Sequence, residues 1–138
     1  MKISLVARPT QQQTDNDDCI QVHISQLNDI ENASCTEIQL LNTLEKVETP
    51  QEVLQQVIMK LRYGGTLIIV STNILAVARD IINNTIQFEE WQPLLYQKTF
   101  LPTLAYLKQL LKSYNLNILN TYYGNTQYAI TAIRPDVT

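Results

Sequence analysis

Glycine is nearly missing from this chain: three occur in 138 residues, and none precedes Gly64. Glycine lets a backbone turn left-handed or approach a ligand with no Cβ in the way. The usual phosphate- or cofactor-cradling loop of a nucleotide-binding α/β fold is therefore excluded from the first 63 residues, where it normally lies. Histidine is single, at His23, and the two cysteines, Cys19 and Cys35, lack metal-ligand spacing, so no metal site is expected. Each cysteine stands just before a predicted strand. Adjacent strand starts would bring them together, but nothing points to an oxidising compartment, and two buried or half-buried free thiols are expected. Charged residues make up only 17%, and a net charge of −3 gives no reason to expect nucleic acid or an anionic membrane as partner. No apolar run approaches the roughly 20 residues that cross a bilayer. Met1-Lys2 leads into a short apolar strand instead of a signal-peptide core, so a cytoplasmic location is expected.

What is present is a globular composition, 45% hydrophobic, long enough for one domain over residues 1–138 with a single substantial core. Asparagine and glutamine are frequent, with three glutamines at Gln11 to Gln13, and read as uncharged surface filling. Lys2 to Ala7 predicts a short strand ended by Arg8-Pro9, and Thr10 to Asp18 a polar loop. Cys19 to Ser25 alternates, with Ile20, Val22 and Ile24 on one side and His23 on the other, which predicts a strand near a sheet edge. Gln26 to Ser34 reads as a polar connection and Thr36 to Leu41 as a third strand. Thr49-Pro50-Gln51-Glu52 has the form of a capped helix start with Glu52 at the capping-box position. Val53, Leu54, Val57, Ile58 and Leu61 then form one apolar stripe, which Tyr63-Gly64-Gly65 is expected to stop.

Thr66 to Ser71 holds Leu67, Ile68, Ile69 and Val70 in sequence, as in a strand covered on both faces. A helix is predicted over Ile74 to Ile86, an irregular lid-like aromatic segment over Phe88 to Phe100, and a further helix over Pro102 to Tyr114. Leu116 to Tyr123 and Gln127 to Ile133 flank Gly124-Asn125 as a hairpin. The series predicts an α/β fold with an open, largely parallel sheet and an antiparallel C-terminal hairpin.

This series resembles the class I SAM-dependent methyltransferases over residues 36 to 134. Thr36 to Val47 looks like the family's "D-x-I…LEH" strand and loop, and Pro50 to Leu61 like the helix that follows. Leu61 to Asn73, LRYGGTLIIVSTN, looks like the "LKPGG.LII" joint and its polar strand exit. Phe100-Leu101-Pro102 with Leu107, Leu110 and Leu111 resembles the "F-T-x-x-x-L…LL" helix before the terminal hairpin. The resemblance implies a Rossmann-like methyltransferase sheet. The first third departs from it. Val6-Ala7-Arg8-Pro9-Thr10 stands where the family has its glycine-rich SAM loop; Arg8 adds bulk and Pro9 removes an amide donor. Too few residues separate Ala7 from Cys19 for both a crossover helix and another strand, so one of each is read as missing near the N-terminus. Asp15, Asp17 and Asp18 are the remaining source of an acid for ribose hydroxyls.

If a SAM crevice is retained, the resemblance assigns it Arg8, Asn42, Glu45, Ser71 and Asn73. Each also has a plainer reading. Arg8 holds a carboxylate or phosphate, or lies over the sheet edge; Glu45 is otherwise an exposed loop acid. Ser71, Thr72 and Asn73 face the crevice, or Thr72 or Asn73 caps the next helix. Lys46 stands where the family often has histidine, and no proton-transfer role is expected for it. His23 has no nucleophile partner and is expected at an exposed edge. Trp91, Tyr96 and Phe100 line a pocket or protein contact, or cover the sheet. No catalytic residue is assigned. The leading expectation is a truncated or degenerate methyltransferase-like domain without SAM, acting through a protein partner or as a homodimer. The alternative is a small active SAM-dependent methyltransferase with a glycine-free cofactor loop, and a module binding a small anionic ligand through Arg8 is a third reading.

Overall fold

The structure is a computed structural model that describes residues 1–6, 19–96, 98 and 100–136. Ten elements run in the order β1 (Lys2–Val6), β2 (Cys19–His23), β3 (Cys35–Leu41), α1 (Pro50–Lys60), β4 (Leu61–Thr72), α2 (Ile74–Ile82), α3 (Phe88–Leu95), α4 (Leu104–Ser113), β5 (Asn117–Tyr123) and β6 (Gln127–Ile133). Short 3-10 turns at Ile24–Asp29 and Leu44–Lys46 complete the connections among the described residues.

One six-stranded sheet has the order β2-β1-β3-β4-β6-β5. The first four positions pair in parallel, and β6 pairs antiparallel with both β4 and β5. Among the described residues only the Ile24–Asp29 turn lies between β2 and β3, and the first α-helix follows β3. Among the described residues no α-helix precedes β3 and the sheet has six strands, in line with the expected shortening of the N-terminal part. Placing β1 between β2 and β3 also separates Cys19 from Cys35, and both thiols are free.

The apolar alternation decides which face is sealed. Ile3, Leu5, Ile38, Leu40, Leu67, Ile69, Ile130 and Ala132 join Leu54 and Val57 of α1 and Leu107 and Leu111 of α4 in one core. Their strand neighbours Thr66, Ile68 and Val70 are half-buried. The buried Ala76 and Val77 of α2 lie outside that cluster. In β2 the alternation misleads: Ile20 is 56% exposed, because an edge strand has a neighbour on one side only.

Several local expectations change. Leu61, with an extended backbone, ends α1, so Gly64 and Gly65 sit inside β4 instead of capping the helix. At the helix end the carbonyls of Met59 and Lys60 accept from the Ala33 and Ser34 amides, and those of Ile58 and Leu61 accept from the Arg134 guanidinium at 3.0 and 2.6 Å. That guanidinium also lies 4.1 Å from the centre of the Tyr63 ring. The glycines serve the bulge where the β3–β4 register shifts between Cys35 and Glu37. Gly64 has φ +81, and a Cβ on Gly65 would lie 2.8 Å from the Arg62 carbonyl oxygen and 3.1 Å from that of Cys35. Thr49 makes no side-chain capping bond; Pro50 alone marks the start of α1. The 74–86 helix stops at Ile82, and the 88–100 segment is not irregular but begins with helix α3, which contains Pro93 and buries no residue. The second strand ends at His23, whose Nδ1 accepts from the Ser25 amide at 3.1 Å and caps the 3-10 turn.

Candidate functional site

In an open α/β sheet, ligands sit beyond the carboxyl ends of the strands, where successive connections diverge. Here the chain leaves β1 toward β2 on one side and the sheet continues through β3 and β4 on the other, so the divergence lies between β1 and β3. At that point the Thr43 hydroxyl donates to the Leu5 carbonyl across 2.6 Å, and Thr43 is buried. The loop after β3 is thereby tied over the end of β1. Asn42 makes this possible with φ +59, a conformation asparagine tolerates better than most residues.

The same turn carries Glu45 inward. Glu45 is 0% exposed, which overturns the reading of it as an exposed loop acid. Its Oε1 accepts from the Ser71 hydroxyl at 2.8 Å and from the Thr72 amide, and its Oε2 lies 2.7 Å from Lys98 Nζ. The Lys98 ammonium also donates to the Thr72 hydroxyl. A buried carboxylate requires such partners, because desolvating an unpaired charge costs several kcal/mol. Tyr128 stands opposite Ser71 in the β4–β6 register and donates to the Pro102 carbonyl at 2.7 Å. Burial pushes its phenol up to about 12; the Glu45 charge adds to this, and the hydrogen bond with Ser71 opposes it.

Asn73 is the N-cap of α2, accepting from the Ala76 amide at 3.2 Å while its Nδ2 donates to the Gly124 carbonyl at 2.7 Å. The capping reading of Asn73 holds, and it joins the end of β4 to the terminal hairpin. Asn42 lies further out, its Oδ1 accepting from Gln127 Nε2 at 3.3 Å. Glu45 and Ser71 are thus in direct contact, while Asn42 and Asn73 bind separate partners. Arg8, Thr10 and the three aspartates of the 7–18 segment lie outside the described residues. Leu41 is 47% exposed; Thr43 and Glu45, in its place, pack the strand ends. Sequence reasoning missed Thr43, Lys98 and Tyr128. Their only shared signal is polarity next to a strand end, which many surface residues also have.

Two open clefts meet at Phe100, between the N-terminal ends of α1 and α4. One, of about 400 Å³, is lined by Phe100, Leu101, Pro102, Thr103 and Tyr106. The other, of about 360 Å³, is lined by Thr49, Pro50, Gln51, Glu52 and Phe100. Gln51 Nε2 and the Tyr106 hydroxyl lie 3.3 Å apart. Phe100 packs on the core and meets Tyr106 edge-on, whereas Tyr96 is 61% exposed and Trp91 packs edge-on against Phe88.

No protein-family model and no curated protein sequence matches the chain. Solved structures do. The complex between the Haloferax volcanii Trm112 methyltransferase activator and its methyltransferase aligns with 99% of this chain and 72% of that chain, at TM-score 0.65 and 12% identity. A SAM-dependent methyltransferase from Thermotoga maritima aligns with 96% of this chain and 82% of its own, at TM-score 0.62 and 12% identity. One from Archaeoglobus fulgidus aligns with 95% and 75%, again at 0.62 and 12%. This chain has the class I methyltransferase fold. Within the methyltransferase fold, the Glu45 cluster occupies the ends of the central strands β3 and β4, and the Phe100 clefts open at the same end of the sheet. Among the described residues no group of three or more His, Cys, Asp or Glu side chains is placed to hold a metal, and no helix is long and apolar enough to cross a membrane.

Proposed function

We propose that this chain is a single methyltransferase-fold domain that has lost SAM binding and catalysis and acts by binding, as a subunit, assembly component or regulator in the cytoplasm. The observation that carries the reading is Glu45: a carboxylate placed where cofactor or substrate groups would be met is instead held by Ser71, Thr72 and Lys98. Asn73 supports it, since both ends of its amide are engaged by backbone. These groups do not fit SAM as placed, because binding its hydroxyls or amine would break existing buried bonds. The short spacing between the first two strands and the absence of glycine before Gly64 point the same way. Exposed Ile20, Leu41 and Tyr122 on or beside the strands favour a partner protein or a second copy. A methyltransferase of this fold forms a complex with the Trm112 activator, which agrees with a role in assembly.

A second reading, a small active SAM-dependent methyltransferase, is favoured by the open clefts at Phe100, which would admit a methyl acceptor. Calorimetric titration with SAM and S-adenosylhomocysteine separates the two. The proposal expects no heat at about millimolar ligand, and micromolar binding refutes it.

A further inference from the structure

We infer that two copies of this chain pair edge to edge through β5, antiparallel across a two-fold axis, and so continue one sheet into the next. The inference rests on the assembly part of the proposed function and not on the loss of SAM. As the last strand of the sheet, β5 leaves one row of backbone donors and acceptors unpaired by any other strand among the described residues. Natural edges of this kind are usually guarded by lysine, proline or a bulge. There is no charged residue anywhere between Lys112 and Arg134, and no proline either. Of these guards β5 has only a bulge, between Ile118 and Asn120, and Leu119 within it is 60% exposed.

Self-pairing places an additional demand on sequence. Around a two-fold axis each residue near the centre meets its own copy, so a charge there would repel itself. An uncharged strand centred on Asn120 meets that demand, with amide facing amide. The two ends of β5 are also unlike in a complementary way. Its C-terminal end carries Tyr122 and Tyr123, 67% and 54% exposed. Beside its N-terminal end lies a cleft of about 580 Å³ lined by Lys112, Asn115, Leu116, Asn117 and Ile118. Antiparallel pairing about Asn120 brings each copy's Tyr122-Tyr123 alongside the other's Asn117-Ile118, and hence its tyrosines to the other's cleft. Lys112 is then within reach of an aromatic ring it attracts. Seven-residue strands make a small interface, for which a Kd of about micromolar order is expected.

The test is sedimentation equilibrium of the full chain with three variants, each checked for native circular dichroism. The wild type is expected to be dimeric at about 100 μM. N120K and N120D are each expected to be monomeric, and an equimolar mixture of the two to dimerise, because opposite charges then meet on the axis. Y122S is expected to weaken the dimer by about tenfold or more. A monomeric wild type overturns the inference, and so does a dimer that N120K leaves unchanged, since that dimer uses another surface. Either result leaves the SAM titration untouched, so the two readings fail separately.

Discussion

Replacing Lys98 with methionine removes the counter-charge of a carboxylate that is itself 0% exposed, while keeping a similar side-chain volume. The ammonium it removes lies 2.7 Å from Glu45 Oε2, and its own side chain is 7% exposed, so little water screens the pair. Breaking one partner of such a pair costs about 3–5 kcal/mol. Two hydrogen bonds to Oε1, from Ser71 and Thr72, remain and place the expected loss at the lower end, about 3 kcal/mol. With a urea m-value of about 1.5 kcal/mol/M, the unfolding midpoint falls by about 2 M. Glu45→Gln alone should cost a similar amount by stranding the ammonium. In the double variant Glu45→Gln/Lys98→Met no charge is buried and the acceptor for Ser71 and Thr72 survives. It should therefore recover to within about 1 kcal/mol of the wild type. Urea titrations followed by circular dichroism supply all four corners of this cycle. A single Lys98→Met loss below about 1 kcal/mol, or a purely additive double variant, refutes the claim that a desolvated pair seals the strand ends.

Tyr128 should titrate near pH 12 in an absorbance titration of the phenolate band, and Tyr128→Phe should remove that step. Because its folded value is raised above the usual 10, the phenol's contribution to stability is complete below pH 10 and is lost as pH rises through about 12. Gly64→Ala and Gly65→Ala should separate strain from crowding in thermal or urea unfolding. The first would bring its Cβ only into ordinary contact, 3.7 Å from Asp136 Oδ1, and loses about 1 kcal/mol to its left-handed backbone. The second drives a Cβ onto two backbone oxygens and should lose about 2–3 kcal/mol.

Much of the sheet was legible from the chain because strand and helix patterns are local. Leu67, Ile68, Ile69 and Val70 had to form an inner strand, and Gly124-Asn125 had to turn a hairpin; both did. The Val53 to Leu61 stripe likewise placed α1 against the sheet. The aromatic segment was misread because Pro93 suggested a break, yet α3 runs through it without that residue's backbone donor and ends two residues later, at Leu95. The glycine pair was misread because glycine closes helices and bulges strands with the same conformational freedom, and only the register of β4 against β3 distinguishes the uses.

The amino-acid sequence by itself determined the order of the strands, the short spacing of the N-terminal part and the absence of glycine before Gly64. These follow from spacing and side-chain size, which are properties of neighbouring residues. Tertiary structure alone decided that Arg134 closes the end of α1, that Thr43 ties β3's loop to β1, and that Glu45 turns inward to Lys98. Each of those contacts joins residues far apart along the chain. A buried charge is stable only where a distant partner meets it, and no local pattern encodes that meeting.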